Sequence, residues 1–439
     1  MLSALQSPRL RRIVLAYTVN RLGTWFGYVA LSVAVFDHTH SALAVAALLI
    51  AAQVLPAIAG PAVIARIEAS SRRGRLSGLY LLETLTTVAL ALLLGHFWLP
   101  AVLLLVLLDG SAALAASALL RAEAARAARE HFIELAGDFV NEEGAQEAER
   151  KANAALNIAF SATFVLGPAI AGVLVASAGA SAALYIDAAS FLICGLMLVD
   201  LRPHVEEPDA SSVRARLGAA WRHIQSVPAL RRLLIAEAVA LVFFQFSAPI
   251  EVAYAKATLK AGDRGYGLLL GAWGIGVVIG SLVFARNVNR SLKVLLSAGT
   301  LAVGLAYLGF AAAPTLLVAC LIAVIGGLGN GVQWASLISA VQRLTPQSLH
   351  GRLMGAVESL SWSCPALGLL LGGGLTALIS PRAAFLVAGV GAVLTTGAFL
   401  RLKLEPTTAS AEPDVPVTVV ESATLTLRPA AQREPSSLS

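Results

Sequence analysis

Runs of about twenty apolar residues recur along this chain, and no other feature of the sequence restricts its fold so strongly. They fall at about 13–36, 42–65, 76–95, 98–119, 154–176 and 182–201, and again at about 232–255, 265–285, 294–312, 316–338, 353–379 and 383–400. A helix needs about 20 apolar residues to cross the hydrocarbon core of a bilayer. Helices are favoured there because each satisfies its own backbone hydrogen bonds where no water can. The pattern therefore predicts an all-α membrane protein with twelve transmembrane helices arranged as two six-helix repeats. Composition agrees: 57% of the 439 residues are hydrophobic and 13% charged, against about 25% charged in soluble domains. The mean hydropathy is +0.77.

The polar stretches divide the chain. Residues 1–202 form an N-terminal half that includes an Ala-, Glu- and Arg-rich inner loop at 121–152, expected to be helical with a solvated charged face. Residues 203–230 read as a cytoplasmic linker, 231–404 as the C-terminal half, and 405–439 as a disordered cytoplasmic tail rich in Pro, Ser and Thr. Short cytoplasmic loops are enriched in Lys and Arg. With the N-terminus inside, of the 32 Lys and Arg residues only Lys256, Lys260, Arg264 and Arg382 face outward, and Arg21 lies within a span. One missed span would invert every later loop, so this asymmetry supports both the helix count and cytoplasmic N- and C-termini.

Equivalent positions of the two halves carry matching signals. Span five holds Gly167, Pro168 and Gly172, and span eleven holds Pro365 followed by Gly368 and Gly372. Such a repeat is the mark of transporters whose halves are related by an axis along the membrane normal.

The segment Thr345-Pro346-Gln347-Ser348-Leu349-His350-Gly351-Arg352-Leu353-Met354-Gly355 resembles the loop before span eleven in the major facilitator superfamily, specifically its drug and siderophore exporters of the enterobactin-exporter type. Gly265-Tyr266-Gly267 with Gly274, Gly276 and Gly280 is similar to that group's eighth span, Ser41-Ala42-Leu43-Ala44 to its second, and Tyr185-Ile186-Asp187 to its sixth. The resemblance covers roughly residues 10–402 and implies the major facilitator fold. The family's latch loop between spans two and three is altered here. The positions that match it are Ile64, Glu68, Ala69, Arg72 and Arg73, so a glycine and an arginine are lost and glutamate replaces aspartate.

Charges inside hydrocarbon are expensive, roughly 2.5–3.5 kcal/mol at a helix centre, so those retained there are functional candidates. They are Arg21, Glu83, Asp109, Asp187, Glu237, Glu251 and Glu358. The resemblance places spans one, four, seven and ten around the central cavity, which favours Asp109, Glu251, Arg21 and Glu237 as proton-coupling residues, with Arg21 and Asp109 as a polar pair. Structural roles compete with these. Glu83 is placed to pair with Arg72 or Arg73, Glu237 with Arg231 or Arg232, Asp187 to cap the outer end of span six, and Glu358 to lock the loop around Arg352. Asn20, Trp25, Tyr28, Gln245, Asn330, Gln333 and Trp334 are the polar and aromatic groups suited to touching a substrate.

Other function classes find little support. The chain has no Gly-x-x-x-x-Gly-Lys-Ser/Thr loop for ATP, its seven histidines are scattered, and its three cysteines lie in apolar runs, so neither a metal nor a cofactor is expected. No basic-aromatic pattern points to nucleic acid, and no nucleophile-base pair points to an enzyme. The expectation is a monomeric secondary transporter of the bacterial inner membrane that exports hydrophobic or amphipathic small molecules in exchange for protons. Nutrient uptake or facilitated diffusion by the same fold, and a non-transporting membrane sensor or scaffold, are the alternatives.

Overall fold

The computed structural model describes residues 7–58, 75–137, 141–200, 221–345 and 365–402. Twelve helices follow one another through them. They are α1 Pro8–Thr39, α2 Ala42–Ile58, α3 Arg75–Leu93, α4 Leu99–Ala136, α5 Glu142–Ala178, α6 Ala180–Met197, α7 Pro228–Thr258, α8 Gly262–Arg286, α9 Leu292–Ala312, α10 Leu316–Arg343, α11 Pro365–Leu378 and α12 Pro381–Leu400, with a short helical stretch at 221–226. No strand occurs among the described residues. Among the described residues nine helices, α3 to α10 and α12, are long and apolar enough to cross a membrane. The 32-residue α1 has the length but not the hydropathy. Asn20, Arg21 and Thr24 interrupt its apolar run, which marks it as a helix with polar work to do.

The helix starts follow from local chemistry. A side-chain oxygen at the N-cap satisfies an amide that has no partner within the helix. Ser7 accepts from the Leu10 amide at 3.3 Å, Asn141 from Gly144 at 2.8 Å and Ser380 from Ala383 at 3.2 Å. Pro8 and Pro381 occupy first-turn positions, where a missing N–H costs nothing. Two helices carry π-turns, α2 at Ile50–Val54 and α7 at Tyr254–Thr258.

The inner segment at 121–152 is helical as expected and continuous with two spans, since α4 runs on to Ala136 and α5 begins at Glu142. Its solvated charges, such as Glu142 and Arg150, are joined by a partly buried ion-pair network. Glu123, only 4% exposed, accepts from Arg126 at 2.7 Å and from Arg9 of α1 at 3.4 Å. Arg129 bridges Glu142 at 2.8 Å and Glu149 at 3.1 Å, tying α4 to α5. Arg12 of α1 binds Asp200, just past α6, at 2.8 Å.

The two halves approach through small residues. Gly172 of α5 and Gly267 of α8 meet backbone to backbone, so that a Cβ on either would stand 2.6 Å from the Cα of the other. Gly373 of α11 packs likewise against Ala42 and Leu43 of α2. Small residues allow this closeness, which is how helices gain dispersion energy where lipid supplies no hydrophobic drive. Gly276, part of the Gly-rich run in span eight, faces Gly327 of α10 for the same reason. Where α1 and α7 end and α8 begins, Lys256 of α7 lies 2.7 Å from Asp37 of α1 and 2.6 Å from Asp263 of α8.

Residues Glu68, Arg72, Arg73, Gly351, Arg352 and Glu358, most of the 203–230 linker and the 405–439 tail lie outside the described residues. Of the remaining packing positions, Pro365 opens α11. Pro168 lies within α5, where its carbonyl faces Gly267, and Gly167 packs under the ring of Trp25.

Candidate functional site

A cavity of about 430 Å³ is bounded by α5, α7, α8, α9, α10 and α12. Its walls are mainly apolar, from Phe160 and Phe164 on α5, Leu241 and Phe244 on α7, and Val277 and Leu282 on α8. The polar groups set into them are Glu237, Ser281, Thr300, Asn330 and Gln333, with Trp334 beside them. An apolar container with a few placed polar groups suits an amphipathic organic molecule.

Glu237 and Gln333 form the centre of its polar side. The Gln333 side-chain amide donates to Glu237 Oε2 at 2.7 Å, with Glu237 1% and Gln333 7% exposed. Glu237 therefore meets an uncharged partner on α10 rather than Arg231 or Arg232 of its own helix. Asn330, Gln333 and Trp334 share about one turn of α10, which presents all three to the cavity.

Asp109 is turned elsewhere. Its Oδ1 accepts from the Thr86 hydroxyl at 2.6 Å and from Thr87 at 3.3 Å, both on α3. The expected pair with Arg21 does not form. Arg21 lies instead over two rings, 4.9 Å from the centroid of Phe160 and 5.9 Å from that of Tyr17, and its Nε has no hydrogen-bond partner.

Asp187 was expected to cap the outer end of span six, but it is buried, 4% exposed, partway along α6. It fills the notch that Gly23 and Gly27 leave in α1, where a Cβ at Gly23 would come 2.6 Å from its Oδ1. Glu83 is 1% exposed, and its Oε1 has no partner among the described residues.

Glu251 stands in a second polar cluster, among α1, α7, α8 and α9. The Ser247 hydroxyl is within hydrogen-bonding reach of it, and Tyr28, Tyr266 and Tyr307 are close by. Tyr307 donates to the Phe244 carbonyl at 3.1 Å. The Tyr266 and Ser32 hydroxyls are fully buried beside each other, and the Tyr28 hydroxyl is also within reach of Tyr266. Tyr28 and Ser32 belong to the N-terminal half and the others to the C-terminal half, so Glu251 faces groups from both. Trp25 packs edge-on against Tyr28 and Phe164, at 5.6 and 5.3 Å between centroids, and links this cluster to the cavity wall. Gln245 lies against Gly368 of α11, and Asn20 is half-buried on α1; neither lines the cavity.

Sequence reasoning missed Phe160, Phe164, Ser281 and Thr300 as cavity residues. For the last two the available signal was a hydroxyl within an apolar helix; for the phenylalanines there was none.

An all-helical bundle of membrane-crossing helices around an amphipathic cavity is the architecture of a membrane transporter. A family model described as transmembrane secretion effector, from the major facilitator superfamily, matches residues 1–427, and the chain belongs to that family. It is 30% identical over 247 residues to the multidrug efflux pump Tap of Mycolicibacterium fortuitum, covering 54% of this chain and 59% of that protein. It is 27% identical over 239 residues to the enterobactin exporter EntS of Salmonella paratyphi A, covering 52% of this chain and 56% of the exporter. The aligned regions thus span less than two thirds of either relative. The fold is similar to the crystal structure of the nucleoside transporter NupG, with a TM-score of 0.70 at 14% identity over 90% of this chain and 99% of that one. The chain is a multi-pass membrane protein of the major facilitator superfamily.

Proposed function

We propose that this transporter exports hydrophobic or amphipathic small molecules, drug-like or siderophore-like, in exchange for protons by alternating access. The observation that carries the reading is the largely apolar cavity with a carboxyl group, Glu237, held on its wall by the neutral amide of Gln333. A carboxyl with no cation beside it can take up a proton without breaking an ion pair, and its charge would be costly in an apolar wall. Glu251 has the same qualification at the seam between the halves, where gaining or losing a proton would alter contacts made by both. Asp109, with only hydroxyl partners, is a third candidate; Arg21 contributes a fixed charge. The relatives named as a multidrug efflux pump and an enterobactin exporter support export as the direction. The protein acts as a monomer in the bacterial inner membrane with both termini in the cytoplasm, consistent with the distribution of its Lys and Arg residues.

The test is accumulation of a panel of fluorescent amphiphiles in everted vesicles carrying an imposed pH gradient. Uptake should collapse with the gradient and should be lost in Glu237→Gln or Glu251→Gln. Gradient-driven uptake that survives in both variants and in Asp109→Asn would refute proton coupling through these groups.

A further inference from the structure

We propose that Arg21 and Arg121 form a binding subsite for the anionic head of the substrate, so that the transported amphiphiles carry a carboxylate or comparable anion. This rests on the transporter reading and narrows its substrate class.

Most described arginines near the α1 start and the α4–α5 connection are matched to acids. Arg9 and Arg126 hold Glu123 and Glu130, Arg12 holds Asp200, and Arg129 holds Glu142 and Glu149. Arg21 and Arg121 have no carboxylate within 4 Å among the described residues. Arg121 spends its guanidinium on neutral acceptors, Tyr17 Oη at 3.3 Å and Asn157 Oδ1 at 3.5 Å. Arg21 is held by ring faces, and its Nε is buried and unbonded.

The two cations share one ring. Their Cζ atoms stand 5.9 and 5.8 Å from the centroid of Tyr17, itself only 3% exposed. Two like charges held this near repel each other, and aromatic faces offset only part of that cost. An anion would relieve the repulsion and supply the anionic acceptor that neither guanidinium has among the described residues.

The location suits an amphiphile. Phe160, which carries Arg21 on its face, also lines the cavity, so the charged subsite adjoins an apolar container of about 430 Å³. Glu237, the acid on that cavity, lies on α7 of the opposite half, where its Gln333 partner occupies one of its oxygens. A bound amphiphile would place its anion at α1 and α4 and its apolar body toward α7, α8 and α10.

The test uses the full chain in detergent with two probes, 11-(dansylamino)undecanoic acid and its methyl ester, which share fluorophore and chain and differ in the anion. Binding is read by energy transfer from tryptophan to dansyl. Wild-type protein should favour the carboxylate over the ester by about tenfold or more, the scale of one charge-assisted hydrogen bond. In Arg21→Gln/Arg121→Gln the preference should vanish while ester binding persists. In Arg21→Lys/Arg121→Lys, which retains both charges, a preference should remain.

No saturable carboxylate binding by wild type, equal binding of both probes, or a preference that survives the glutamine pair would overturn the proposal. If the glutamine pair binds neither probe, the lysine pair decides: a retained preference supports the subsite and a lost one refutes it. The assay runs without a gradient, so failure of proton coupling would leave its result standing.

Discussion

Lys256 of α7 holds Asp37 of α1 at 2.7 Å, an ion pair that joins the C-terminal half to the N-terminal half. Lys256 is 18% and Asp37 47% exposed, and Asp263 shares the ammonium at 2.6 Å. A pair this exposed contributes about 1 kcal/mol. Lys256→Met should therefore shift the balance several-fold toward the state in which these ends separate. Spin labels at positions 40 and 264, in a cysteine-free background, should show a longer-distance population in the variant. A charge swap, Lys256→Asp with Asp37→Lys, should reduce it. An unchanged distance distribution in Lys256→Met would count against a latch.

Gln333→Leu should destabilise the protein more than Glu237→Gln. The first leaves a buried carboxyl without its donor, at a cost of about 1–3 kcal/mol. The second leaves two amides that can still bond to each other. Thermal unfolding in detergent should show a lowered Tm for Gln333→Leu and a nearly unchanged one for Glu237→Gln. The reverse order would mean that Glu237 is bonded as an obligatory anion.

Thr86→Val removes the 2.6 Å hydrogen bond to Asp109 and leaves Thr87 at 3.3 Å as the remaining donor. A loss of about 1–2 kcal/mol is expected, since the acid sits in an apolar bundle. Thr86→Ser should restore most of it, and Asp109→Asn should be tolerated because the hydroxyl can bond to an amide. Equal destabilisation by the serine and valine variants would place the effect in packing rather than in the hydroxyl.

Asp200 carries a prediction about acid. The Arg12 guanidinium, 2.8 and 2.9 Å from its two oxygens, holds its carboxyl below the ordinary carboxylate range. A depressed value in the folded state means that the pair contributes above the unfolded carboxyl's value, about 3.9, and loses its contribution as pH falls through the folded value. Both side chains are largely open to water, so the effect is small and screened by salt. Asp200→Asn should lower Tm slightly at pH 7 in low salt, and the gap to wild type should narrow as pH falls below about 4. A gap that does not narrow with acid would require another cause.

The helical architecture was legible because run length alone decides what can cross a bilayer, and each apolar run overlaps a helix among the described residues, although α4 and α5 extend well beyond theirs. What the sequence concealed was the rotation of each helix about its own axis. Arg21 and Asp109 were expected to face each other from spans one and four, yet a turn of one helix relative to the other gives Asp109 to Thr86 and Arg21 to Phe160. Asp187 was expected at a helix end because its distance from that end is countable; the notch that buries it depends on glycines more than 150 residues away. Gln333 and Glu237 were each identified as candidates, but their bond spans 96 positions and follows from packing rather than from any local pattern.

The crossing of Gly172 and Gly267 bears on how such a molecule could move. With bare main chain on both sides, a tilt of one half over the other changes which backbone atoms touch but asks no rotamer to interconvert. The crossing therefore acts as a bearing, and resistance to rocking arises where side chains of the two halves meet, at Tyr28 beside Tyr266 and at Lys256 against Asp37.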